Sequence, residues 1–174
     1  MTDVEYASAP RLRSIIDEFT ALAWPADRAV LGPIADRLAW VVRLDLPGSI
    51  DYLSEVGASR ALVNVLLDEG LVAEVKAGVS SQIDETDSAQ QEALADAFTA
   101  VVADVQAILG APAHRRRGEY PRVSWDLPNG GRVAVQWLGF VVQLVVLQKR
   151  YADVERFEES RGVSADRDAG ADLG

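Results

Sequence analysis

RVSWDLPNGGRVAVQWLGFVVQLVVLQ, residues Arg122 to Gln148, is the stretch whose reading decides the fold. Val123, Trp125 and Leu127 share one phase of a period-two pattern, and Val133, Val135 and Trp137 share another, which is the spacing of half-buried strands. Between them, Pro128-Asn129-Gly130-Gly131 supplies residues that accept the backbone angles of a tight turn. Gly139 permits a second sharp turn before the apolar run Phe140 to Gln148. Three consecutive strands with short links predict an antiparallel meander.

Working outward, Leu71, Ala73, Val75, Ala77 and Val79 alternate with Val72, Glu74 and Lys76, so the spacing predicts a strand with the first set inward and the second outward. With Leu62 to Leu67 and the turn Asp68-Glu69-Gly70 it forms a hairpin. Trp40 to Leu46, closed by Pro47-Gly48, reads as a further strand with Ile50 to Val56 as its neighbour. Helical spacing appears in three places. Leu12, Ile15, Ile16, Phe19 and Leu22 predict an N-terminal helix over Ala9 to Ala23, with Ser8 as cap and Pro10 in the first turn. Gly32-Pro33 opens a helix of two turns through Leu38. Asp87 and Gln90 have the spacing of a capping box ahead of the longest stripe, which runs Leu94, Phe98, Val101, Val102, Val105, Ile108 and Leu109 and stops at Gly110 and Pro112. Tyr151 to Glu159 forms a terminal helix. The expectation is an α+β fold: a largely antiparallel sheet with an N-terminal helix and one long central helix packed on it. Residues 1–163 read as one domain, and 164–174 as a loose tail with too little apolar content to dock.

Composition narrows the function. A hydrophobic share of 49% supports a real core, and no apolar run reaches membrane-spanning length. Cysteine is absent and His114 is the single histidine, so thiolate nucleophiles and Cys- or His-rich metal sites are excluded. Neither a cofactor nor a metal is expected, and the N-terminus carries Asp3 and Glu5 where an export signal would be basic, which points to the cytoplasm. The formal charge of −10 opposes nucleic-acid backbones. That acidity is local: no Lys or Arg occurs between Lys76 and Arg115, while Asp84, Glu85, Asp87, Glu92, Asp96 and Asp104 fall in that window. Such a face attracts a basic partner, and Asp84, Glu85, Asp87 and Glu92 are the partner-binding candidates. The basic cluster His114-Arg115-Arg116-Arg117 is the alternative contact, although its flanking Pro112 and Gly118 suggest a solvated loop. Glycine loops for phosphates and nucleophile elbows are missing, so the expectation is a protein that binds rather than one that catalyses.

The runs Ile108-Leu109-Gly110-Ala111-Pro112 and Arg117-Gly118-Glu119-Tyr120-Pro121-Arg122-Val123-Ser124-Trp125, with Leu38-Ala39-Trp40-Val41-Val42, resemble a helix-to-strand junction in an actinobacterial family of small proteins that includes immunity factors like that of the tuberculosis necrotizing toxin, an NAD-glycohydrolase. The resemblance spans roughly residues 10–150. It implies an antitoxin that binds the toxin's catalytic domain in the cytoplasm and blocks its cofactor site. Two other readings stay open: a secretion chaperone, and a small-ligand domain using a sheet pocket lined by Trp125, Trp137 and Tyr120.

Overall fold

A computed structural model describes residues 3–162. Helix α1 (Ala9–Thr20) starts where the Ser8 hydroxyl accepts the Arg11 amide, and it buries Leu12, Ile15, Ile16 and Phe19. It ends earlier than its periodicity predicts, with Ala21 as its cap. One 3-10 turn (Arg28–Val30) leads into α2 (Leu31–Leu38), which Ala39 closes in the left-handed conformation at φ 54°. Four strands follow, β1 (Val41–Leu46), β2 (Ser49–Val56), β3 (Ser59–Asp68) and β4 (Leu71–Gly78). The long helix α3 (Ser88–Leu109) then carries the chain to β5 (His114–Arg116), β6 (Arg122–Asp126), β7 (Arg132–Trp137) and β8 (Val142–Leu147), and α4 (Lys149–Ser160) comes last among the described residues.

All eight strands form one antiparallel sheet in the order β1-β2-β3-β4-β8-β7-β6-β5. Two four-stranded meanders therefore meet at the β4–β8 seam. The α+β expectation is met: the N-terminal helix and the long central helix both sit on an antiparallel sheet. Its inner face is valine-rich. Ile50, Val65, Val75, Val146, Val133 and Trp125 are successive cross-strand partners, all buried in the main core with the apolar stripes of α1, α2 and α3. Each such valine contributes about 1.5–3 kcal/mol relative to an exposed one, so the inner face is the main source of stability.

Two local readings are corrected. Val72, expected to face outward, is only 1% exposed and joins the core with Val75. A bulge explains it: Leu66 pairs with Glu74 but Leu67 pairs with Val72, so Ala73 is the extra residue and the alternation changes phase there. The second correction concerns His114 to Arg117. Its first three residues form β5, pairing His114 with Ser124 and Arg116 with Arg122. An edge strand of three polar residues, two of them arginines, has no apolar alternation by which to be read, and charge is itself what protects an open sheet edge from unwanted pairing. The expected tail 164–174 lies outside the described residues.

Candidate functional site

Register assigns every strand residue to a face, because directly paired residues point the same way. On the outer face one row runs Leu46, Ser49, Leu66, Glu74, Leu147, Arg132, Asp126. The next runs Leu44, Asp51, Asn64, Lys76, Val145, Ala134, Ser124, His114. Helix α4 covers the second meander, where Ala134, Val145, Leu147 and Ala152 form a small separate core. Apart from Tyr151 and Arg150 of α4, which reach Asp68 at the end of β3, no helix among the described residues covers the outer side of β1 to β3.

That bare half is apolar. Val41, Leu44, Leu46 and Leu66 are 66%, 47%, 45% and 40% exposed, and half-buried Leu53 and Leu62 continue the row from Val41. Val41 and Leu44 are three residues apart, which in an unbroken strand puts them on opposite faces. The bulge between Val42 and Leu44 leaves Arg43 unpaired and turns both outward, beside Leu53 and Asp51. The start of the strand is pinned from within by Trp40, which stacks at 6.3 Å on Phe19 and lies 5.8 Å from Tyr52. Polar groups in the patch satisfy one another: Asn64 donates to Asp51 at 2.7 Å and Lys76 pairs with Glu74 at 2.9 Å. Exposed aliphatic side chains gathered on one sheet face mark a candidate interaction site.

Sequence reading passed over this face. Its signal was present in β3, where Leu62, Val63, Val65 and Leu66 are apolar on both phases, so a second face needed covering. The acidic candidates are elsewhere, at the start of α3 beside the β7–β8 turn, where Ile83 donates its amide to the Phe140 carbonyl. Asp84 accepts from the amide and hydroxyl of Thr86, which hold its carboxyl below the usual range. Asp87 is the N-cap of α3, accepting from Ala89 and Gln90. Asp84, Glu85 and Glu92 are exposed, and of the four only Glu85 and Glu92 have carboxylates that accept no hydrogen bond among the described residues. The Trp125–Trp137–Tyr120 pocket is not assembled. Trp125 is buried and donates to the Gly110 carbonyl, Trp137 packs at 6.1 Å on Phe98 of α3, and Tyr120 stands exposed in a loop.

A polar site does form where β5, β6 and the end of α4 meet. Arg132, only 2% exposed, donates to Asp126 at 3.0 Å, Glu155 at 2.9 Å and Glu159 at 2.6 Å. Burial opposes its charge, but the Glu159, Asp126 and Glu155 carboxylates outweigh burial and hold it above the ordinary arginine range. Beside it, Arg122 donates to Gln136 at 2.9 Å and pairs with Glu155 at 2.8 Å; burial pulls its value down, with Glu155 opposing. Above this network a cleft of about 300 Å³ opens between His114, Arg116, Arg117 and Arg122 on one wall and Glu158 and Glu159 on the other. A second cleft, about 440 Å³, lies between Trp24-Pro25 and the first turn of α4. No helix among the described residues is long and apolar enough to cross a membrane.

Residues 10–148 match a family described as "Family of unknown function (DUF6301)". The chain belongs to that family. The matched span takes in all eight strands and the bare apolar face, and it stops one residue short of α4. No curated protein and no solved structure matches the chain.

Proposed function

We propose that this protein acts by binding another protein, which it holds across the bare outer face of β1, β2 and β3. The observation that carries the reading is the cluster of Val41, Leu44, Leu46 and Leu66, four exposed aliphatic side chains gathered on one face by a bulge. A bulge on an edge strand also disfavours strand-to-strand addition, so the partner lies over the face rather than extending the sheet. Aliphatic groups of β1 to β3, interleaved on the same face with the mutually satisfied Asn64–Asp51 and Lys76–Glu74 pairs, give the mixture of apolar contact and hydrogen-bonded polar groups that protein interfaces use.

The partner in this proposal is the catalytic domain of an NAD-glycohydrolase toxin, occluded in the cytoplasm by an immunity protein that needs no catalysis of its own. What supports that identity is the resemblance of residues 108–125 to the immunity-factor family. The exposed carboxylates Glu85 and Glu92 then speed the encounter with a basic partner, whereas Asp84 and Asp87 serve the loop and the helix cap. The test is co-expression of the tagged chain with the toxin domain, wild type against the double variant Leu44→Lys, Leu66→Lys. Co-purification and suppression of NAD hydrolysis by the wild type, both lost in the variant while its circular dichroism is unchanged, is the expected outcome. Inhibition that survives the double substitution overturns the assignment of the face.

A further inference from the structure

Arg115, Arg116 and Arg117 are three consecutive cations in a chain of net charge −10, yet none of them forms an ion pair among the described residues. Arg115 turns to the inner side and donates to Gln106 of α3, in keeping with its pairing opposite buried Val123. Arg116 is on the outer side, opposite Arg122, and the two contribute to one wall of the cleft with His114 and Arg117. Two of these guanidiniums are incompletely satisfied. The Nε of Arg116 and of Arg122 are buried without an acceptor, and the remaining contact of Arg116 is one hydrogen bond of 3.1 Å to the Tyr120 carbonyl.

The carboxylates opposite pair with Arg122 but, among the described residues, with neither Arg116 nor Arg117. Glu155 and Glu159 are both engaged by Arg132, and Glu155 also by Arg122. The His114 imidazole is no closer than 4.0 Å to Glu159. Glu158, exposed on the far rim, forms no ion pair among the described residues. One wall therefore offers several guanidinium donors and the other a single open carboxylate. A monoanionic carboxylate ligand needs only one arginine, whereas a phosphomonoester carries nearly two charges at neutral pH and three acceptor oxygens, which several forks can share. The volume fits a compact molecule and not a polymer.

We propose that this cleft binds the phosphate of a small phosphomonoester, with Arg116, Arg117 and Arg122 on the phosphate and Glu158 receiving an amine or hydroxyl at the ligand's other end. The site is independent of the protein-docking face, being at the opposite edge of the sheet. His114 is the sole histidine and lines the cleft, so its imidazole C–H resonances report occupancy without ambiguity. The experiment titrates the full chain with inorganic phosphate and, separately, with O-phosphoethanolamine, at constant ionic strength set with sodium chloride. A saturable shift of the His114 resonances is expected with both, tighter for O-phosphoethanolamine, and Glu158→Gln is expected to remove the difference between them. Arg116→Ser with Arg117→Ser, the first half-buried on the edge strand and the second exposed, is expected to weaken binding by at least about tenfold with circular dichroism unchanged, in line with the loss of charge-assisted hydrogen bonds. A drift that never saturates, or an affinity unaltered in the double variant, overturns the proposal.

Discussion

Asp126 shows how single residues hold α4 to the sheet. Its carboxylate accepts from Arg132 at 3.0 Å and from Arg156 at 2.7 Å, joining β6, β7 and α4 in one network. Burial works to raise its pKa, but the two guanidiniums outweigh burial and hold the carboxyl below its ordinary value of 3.8. Because the folded value lies below the unfolded one, the stabilisation is complete above the ordinary value and is lost as pH falls through the folded one. The share of the acid-induced fall in melting temperature that Asp126 contributes is expected to appear as pH drops below the region of 3.8. Asp126→Asn starts from a lower melting temperature at neutral pH and loses less of it over that acid window. An equal acid-induced drop in both proteins would show that this carboxylate is not linked to folding. None of this network was legible in the sequence, since Arg132 is 2% exposed in the very strand whose apolar alternation was clear, and a charged residue on the polar phase of a strand reads as solvated.

At the scale of elements, periodicity reached most of the fold. The three strands of the quoted stretch, their two turns, the β3–β4 hairpin and the stripe and caps of α3 all stand where spacing places them. What escaped were bulges and a short charged edge. Both bulges, at Arg43 and Ala73, shift side chains between faces, and a one-residue shift inverts the inside and outside of everything beyond it. Val72 offers a direct check. Strict alternation puts it in water, where Val72→Ala has almost no effect, while the bulged strand buries it beneath the helices. The truncation is therefore expected to cost about 2 kcal/mol in urea denaturation, within the usual range for deleting buried methyl groups. A change of a few tenths, within the usual scatter of surface substitutions, would restore the unbulged strand.

Across the whole molecule, the sheet is asymmetric in how its outer face is treated. Helix α4 and a buried arginine close the half built from β8, β7, β6 and β5, while the half built from β1, β2 and β3 keeps its aliphatic side chains in the open. The two edges differ in the same sense: β5 is short and charged, β1 is twice as long and bears Val41, Val42, Leu44 and Leu46. The sequence could place a cluster of carboxylates at the entrance to α3, but it could not tell that Asp84 and Asp87 serve local hydrogen bonds or that the apolar surplus of β1 and β3 collects on one side. Face assignment needs register, and register across a bulge is a tertiary property. The central claim is that this open half-face is where a protein partner sits, and amide hydrogen exchange on the chain alone and in its complex tests it most directly. Slowed exchange concentrated in residues 41–66 on complex formation is the predicted result. Protection confined to residues 84–96 or 114–117, with β1, β2 and β3 exchanging as in the free chain, would contradict it.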